Sequence, residues 1–180
     1  MSYYALHGKE YIESTLDTNM NEVYMFFEPY IKEGGSILDV GFGSGRDMLH
    51  FKRMGYEVSG IDQEQVFVEH GLALGLDVSI GDLLTYESNK RYDGIWANAS
   101  LVHLSLEDFY KAIHHLLSLL NDDGVLFVSM KLGSSFEIDE LGRPMLYVDE
   151  SAFSEFNLVE SKRTLDATRP ITWVNVILKK

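Results

Sequence analysis

The stretch Ile37-Leu38-Asp39-Val40-Gly41-Phe42-Gly43-Ser44-Gly45-Arg46-Asp47 constrains the fold more than any other part of the chain. A short apolar run at residues 36–40 breaks into three glycines at alternate positions, and apolar residues return at helical spacing as Met48, Leu49, Phe51 and Met54. This reads as strand, glycine turn and helix. In that context the backbone can bend sharply and approach a ligand, while the helix N-terminus offers N–H groups to an anion. The spacing is GxGxG, and Arg46 stands where the dinucleotide fingerprint GxGxxG would place its third glycine. Asp62 closes the next apolar run about 20 residues past the first glycine, where a carboxylate can accept both hydroxyls of an adenosine ribose. Neither signal is specific alone, but in this order they point to a nucleoside-bearing ligand.

The alternation continues. Residues 56–61 read as a second strand, 63–74 as a helix, 78–80 as a brief third strand and 95–97 as a fourth. Ser105 opens an amphipathic helix with Leu106, Phe109, Tyr110, Ile113, Leu116, Leu117 and Leu120 on one face, and Ser105 and Asp108 are spaced as a capping box. Residues 125–130 are apolar on both faces, as the centre of a parallel sheet requires. Upstream, Met20, Val23, Tyr24, Phe26, Phe27, Tyr30 and Ile31 predict one helix over residues 17–31. Downstream, residues 133–148 read as a loop excursion, 150–156 as a short helix, and 157–161 and 171–178 as closing strands. Repeated βα units imply right-handed crossovers and a three-layer α/β sandwich, with ligands at the carboxyl ends of the strands.

The length suits one domain over residues 1–180, with 1–34 as an N-terminal cap and lead-in helix and 131–149 as an excursion over the cleft. There is no cysteine, which removes thiol chemistry and zinc ribbons. His114 and His115 diverge by about 100° on a helix, so no metal site is expected. With 28 acidic and 15 basic side chains, a formal charge of -13 disfavours nucleic acid and anionic membranes as partners. The N-terminus is too polar for a signal peptide and no apolar run nears the ~18 residues of a membrane span, so the expectation is a cytoplasmic protein, monomer or homodimer.

Residues 37–47 resemble the first motif of class I S-adenosylmethionine-dependent methyltransferases. Gly60-Ile61-Asp62 resembles their second motif, Gly81-Asp82-Leu83-Leu84 their third, residues 95–104 their fourth, and residues 119–126 the turn into their fifth strand. The set looks most similar to small bacterial members, including tellurite-resistance-type enzymes. The resemblance implies a Rossmann-like seven-stranded sheet whose last strand is antiparallel, and S-adenosylmethionine as cofactor. By position, Asp39 and the Gly41-Gly43-Gly45 turn would hold the methionine end, with Arg46 and Asp47 beside it ordering Tyr11 or Thr15. Asp62, with Gln63 next to it, would take the ribose; Asp82 and Leu83 would contact the adenine; Asn98 and Ala99 would line the sulfonium side. Phe42 stands where the family often has a small residue, and residues 150–156 are short for its usual crossover helix.

Methyl transfer from a sulfonium is an in-line displacement on an activated donor, so positioning and exclusion of water are the protein's main tasks. A hydroxyl acceptor would also want a base, and His103, just beyond the fourth strand, is the candidate; the other reading is a histidine that orders its loop by bonding to backbone. Lys131 at the end of the fifth strand, and Arg143 and Tyr147 in the excursion, are the candidate contacts to a small-molecule substrate. Two other functions share these motifs: a nicotinamide-dependent oxidoreductase, which lacks a Tyr-x-x-x-Lys pair here, and a non-catalytic S-adenosylmethionine-binding protein. The residues leave the acceptor molecule open.

Overall fold

The glycine turn sits where the sheet is widest. In the computed structural model, β1 (Ser36–Val40) lies between β2 (Glu57–Asp62) and β4 (Tyr92–Asn98), both parallel to it. The structure describes residues 2–166 and 169–180, so Met1 and residues 167–168 of the expected domain lie outside the description. Outward from this centre, β3 (Asp77–Ile80) pairs parallel with β2, and β5 (Leu120–Leu132) parallel with β4. Beyond β5 come β9 (Thr172–Lys179), antiparallel to it, and β8 (Asn157–Leu165), antiparallel to β9. The order is therefore β3-β2-β1-β4-β5-β9-β8, with the last strand of the chain reversed against both neighbours.

The two faces of this mixed sheet are buried differently. On one, α5 (Leu106–Ser118) places Phe109, Ala112, Ile113 and Leu116 against Leu126, Val128 and Val176. Its start is fixed by Ser105, whose hydroxyl accepts from the Asp108 N–H at 3.1 Å. On the other lie α1 (Tyr3–Thr15), α2 (Asn21–Phe27), α3 (Arg46–Arg53) and α4 (Gln65–Ala73). Here Phe27, Phe51 and Phe127 surround the wholly buried Trp96, whose ring stacks on Phe127 at 4.0 Å. Three layers result. No helix among the described residues is long and apolar enough to cross a membrane.

Two segments differ from the sequence expectation. The single helix over residues 17–31 is α2 followed by a 3-10 turn at Glu28–Tyr30, where Pro29 cannot donate to a continuing helix. A separate helix, α1, precedes it, capped by Ser2, whose hydroxyl accepts from Ala5 N–H. The excursion is an ordered hairpin, β6 (Ser135–Ile138) and β7 (Pro144–Val148), closed by Asp139, whose Oδ1 accepts from the N–H groups of Leu141 and Arg143. β6 alternates Phe136 and Ile138 with Ser135 and Glu137, but over only four residues, and both apolar side chains are exposed. The register places β7 on the edge of β5 that β4 vacates: β4 pairs as far as Asn98↔Ser129, and β7 takes over at Lys131↔Tyr147. The hairpin thus stands at the carboxyl end of β4.

Candidate active-site cleft

All three glycines of the turn adopt the left-handed backbone, with φ of 72° at Gly41, 54° at Gly43 and 75° at Gly45. Space also forbids side chains there. A Cβ on Gly41 would come within 2.7 Å of Ser100 Cβ, and one on Gly43 within 3.1 Å of the Tyr11 ring. The turn opens a cleft of about 250 Å3 at the carboxyl ends of β1, β2 and β4. Of the residues expected from sequence, Gly41, Gly43, Asp62, Gln63, Asp82, Leu83, Ala99 and His103 line it. Asp39, Gly45, Arg46 and Asn98 lie outside its lining, as do Lys131, Arg143 and Tyr147. Tyr4, Phe67 and Ser100 line it without having been singled out. Tyr11 does too, and Thr15 offers its carbonyl to Arg46 at 3.4 Å. A tyrosine in a polar N-terminal helix carries no local mark of a site; the packing of α1 on α4 is what puts Tyr4 and Tyr11 there.

Asp62 faces the turn from the end of β2. Its Oδ2 accepts from Gly43 N–H and its Oδ1 from Glu64 N–H, each at 3.0 Å. Burial nevertheless pushes its carboxyl up to about 6, because these bonds only partly offset lost hydration. Asp39 is sealed beneath the turn, and its Oδ2 has no hydrogen-bond partner among the described residues. Burial, with Asp47 nearby, raises that carboxyl well above the usual range. Across the cleft, Ala99 holds a φ of 56°, uncommon for a residue with a Cβ, as β4 leaves the sheet.

Asp47 explains where Arg46 and Asn98 went. Its carboxylate accepts from Arg46 Nε at 2.6 Å and Nη2 at 3.0 Å, from Tyr24 Oη at 2.6 Å, from Trp96 Nε1 at 2.8 Å and from Asn98 Nδ2 at 3.1 Å. Burial alone would raise its pKa, yet the Arg46 charge and these bonds outweigh it and hold it below the ordinary value. Arg46 and Asn98 therefore brace the first turn of α3 against β4 and α2.

At the other end of the cleft His103 joins three elements. Its Nδ1 lies 2.8 Å from the Pro144 carbonyl of β7, which only accepts, so the proton sits on Nδ1. Nε2 then accepts from Tyr4 Oη at 2.8 Å. Tyr4 Oη also accepts from Arg143 Nη1 at 3.2 Å, and Arg143 is clamped by Asp139 Oδ2 through Nε and Nη2 at 2.9 and 2.7 Å. Burial lowers the pKa of His103, and the Arg143 and Lys131 charges add to it against the Pro144 bond. A neutral imidazole with a fixed tautomer results. His103 is bonded to backbone, as the loop-ordering reading expected, and it also faces the cleft.

Residues 12–166 match the family described as a methyltransferase domain. An uncharacterized methyltransferase from Alkaliphilus oremlandii (strain OhILAs) is 25% identical over 162 residues, covering 82% of this chain and 73% of its own. A trans-aconitate 2-methyltransferase from Escherichia coli O139:H28 is 33% identical over 98 residues, 52% of this chain and 38% of that protein. Among solved structures, the Burkholderia thailandensis 1,6-didemethyltoxoflavin-N1-methyltransferase with bound 1,6-didemethyltoxoflavin and S-adenosylhomocysteine superposes with a TM-score of 0.71 at 18% identity. It spans 99% of this chain and 88% of its own. The glycopeptide N-methyltransferase MtfA with S-adenosylmethionine gives 0.72 at 14% identity, over 88% of this chain and 92% of that one. At these identities the two structures speak to the fold.

Proposed function

The chain belongs to the methyltransferase-domain family and depends on S-adenosylmethionine, and on that premise we propose that its acceptor is a small molecule met at the His103 end of the cleft. Bound S-adenosylmethionine supplies a methyl group on a sulfonium, whose sulfur keeps the electron pair of the broken C–S bond and leaves as a neutral thioether. The observation that carries the reading is the pairing of Asp62 with the left-handed glycine turn across the cleft. The residues fit that ligand. Asp62 has free lone pairs for ribose hydroxyls, Asp82 and Leu83 with Gln63 close the adenine side, and Gly41 and Gly43 admit the methionine end. The orphaned Oδ2 of Asp39 beneath the turn fits a cationic ligand above it. Gly45 sets the start of α3, while Arg46 and Asn98 act as positioning residues through Asp47.

The chain's own part in the step is orientation and proton handling. Ala99 and Ser100 border the sulfonium side, and Tyr4 and Tyr11 exclude water from above. For an acceptor hydroxyl, the proton passes to Tyr4 Oη as the phenol's own proton moves to His103 Nε2, leaving the methylated oxygen neutral. An acceptor that is already anionic needs only to be held. Lys131, Arg143 and Tyr147 stand around the far side of His103 and are the proposed substrate contacts. Trans-aconitate, the substrate in the name of one relative, is such a small anion. The motif resemblance supports the tellurite-resistance-type branch, and the charge of -13 supports a protein that leaves nucleic acids alone.

Calorimetry with S-adenosylhomocysteine is the test. Micromolar binding by the intact protein is expected; no binding at millimolar ligand overturns the reading.

A further inference from the structure

β5 carries a second set of unusual groups, beyond the cleft lining. Lys131 is 8% exposed, yet among the described residues its Nζ has no hydrogen bond and no ion pair. The other cations nearby are spoken for: Arg143 is clamped by Asp139, and Arg169 is paired with Asp166. Lys131 Nζ has only an aromatic contact, 5.6 Å from the centre of the Tyr147 ring. It is not among the sealed polar atoms, so it keeps a path to solvent. Burial, reinforced by the Arg169 and Arg143 charges, lowers its pKa against the more distant pull of the Asp139 and Glu137 carboxylates, neither of which pairs with it.

The register shows what surrounds it. Lys131 is paired with Tyr147 of β7 on one side and Trp173 of β9 on the other, and paired residues point to the same face. The Lys131 side chain therefore stands between the two aromatic residues, and a flat ring or conjugated chain that reaches its Nζ meets an aromatic face or edge beside it. Both are half-buried and open to entry. One step down the same face lie Ser129 and its partner Asn175. Asn175 is 1% exposed; its Nδ2 donates to the Lys162 carbonyl and to Thr164 Oγ1, and its Oδ1 is sealed without a partner. The unpaired cation therefore stands in a slot between two partly exposed aromatic residues, with the sealed Asn175 amide beneath it. The slot adjoins the cleft, because Ser129 pairs with Asn98 and its carbonyl accepts from the N–H of the cleft-lining Ala99 at 3.2 Å.

We infer that this slot holds the acceptor, a planar conjugated or aromatic carboxylate whose carboxylate sits on Lys131 beside Tyr147 and Trp173. The inference rests on the methyl-transfer reading above and narrows it to a substrate class. Arg143 drops out of the substrate contacts in this account, since Asp139 already neutralises it and its free edge bonds Tyr4.

The test uses the intact protein with S-adenosylmethionine and a panel of trans-aconitate, 4-hydroxybenzoate and 4-hydroxycinnamate, each beside an amide of one carboxylate, with tellurite as a non-planar oxyanion. Methyl incorporation is followed by mass spectrometry and S-adenosylhomocysteine affinity by calorimetry. At least one carboxylate is expected to be methylated, with its amide about 30-fold weaker in kcat/KM, the loss of one charge-assisted contact. Lys131→Met should raise KM for that carboxylate by about 30-fold with kcat within about 3-fold and cofactor affinity unchanged, and Lys131→Arg should restore most of it. Amides or tellurite turned over as well as carboxylates, an unchanged KM in Lys131→Met, or no methylation across the panel overturns the slot while S-adenosylhomocysteine binding leaves the cofactor reading standing. Failure of that binding overturns both.

Discussion

Asp47 and Lys131 make an instructive pair. Both are charged and nearly equally buried, at 7% and 8% exposure, and both lie near the carboxyl ends of the sheet. Asp47 receives hydrogen bonds from Arg46, Tyr24, Trp96 and Asn98. Lys131 Nζ has an aromatic contact, and among the described residues it has no hydrogen bond or ion pair. Burying a charge costs several kcal/mol unless partners replace its hydration. At Asp47 the fold supplies those partners, and the carboxylate ties α3 to α2 and β4. At Lys131 it does not, and the proposed carboxylate would supply the compensation. A satisfied buried charge marks structure, and an unsatisfied one marks a site.

The largest way to break this contrast is Asp47→Ala. Leaving Arg46 half-buried without its partner should cost about 3–5 kcal/mol of stability, read from urea unfolding. The wild-type contribution is complete above the unfolded carboxylate pKa of about 3.9 and fades as the pH falls through the lower folded value, since the folded pKa is depressed. Next comes Asp62→Ala, which removes two acceptor oxygens from the cofactor side and should weaken S-adenosylhomocysteine binding by about 100-fold in calorimetry with little change in fold. A pH series sharpens the same point. With the Asp62 carboxyl at about 6, only the ionised form accepts two ribose donors, so cofactor affinity should fall about tenfold for each unit below that value. Stability of the ligand-free protein should run the other way. The folded state holds a proton between about pH 4 and 6 that the unfolded state releases, so stability declines as pH rises through that window.

Smaller effects test the second half of the molecule. Tyr4→Phe removes the hydroxyl between His103 and Arg143 and should lower kcat/KM about tenfold for a hydroxyl acceptor, with the acid limb of the pH–rate profile shifted. An anionic acceptor should be nearly indifferent to it. Smallest of all, Lys131→Met should leave thermal stability within about 1 kcal/mol of wild type or raise it, since a buried cation without a counter-charge gives the fold little. A loss comparable to that of Asp47→Ala would erase the distinction between the two sites.

Legibility in the sequence follows the range of the interactions. The strand, turn and helix around Gly41, Gly43 and Gly45 were readable because left-handed backbone demands glycine within a few residues. Asp62 was readable because parallel βα units place successive strand ends side by side. Arg46 and Asn98 were assigned to the cofactor by position. Their donors turn instead to Asp47, a choice that depends on Tyr24 and Trp96 arriving from elsewhere in the chain. The hairpin of residues 135–148 escaped because β6 is only four residues long and buries nothing, so the alternation of Phe136 and Ile138 was too short to stand out. Tyr4 escaped because its partners, His103 and Arg143, are 99 and 139 residues away.

By itself the sequence determined the three-layer α/β class, the reversed last strand that the family resemblance implied, and the place of the nucleoside cleft. The layer class and the place of the cleft follow from hydrophobic period and backbone sterics, which act between near neighbours along the chain, while the reversed strand came only with the motif resemblance. Only the tertiary structure decided which buried charges are answered from within. It gave Asp47 its donors, turned His103 into a neutral tie between α1 and β7, and left Lys131 facing two aromatic rings. Whether a charge is satisfied is a sum over groups that the chain brings together from distant positions.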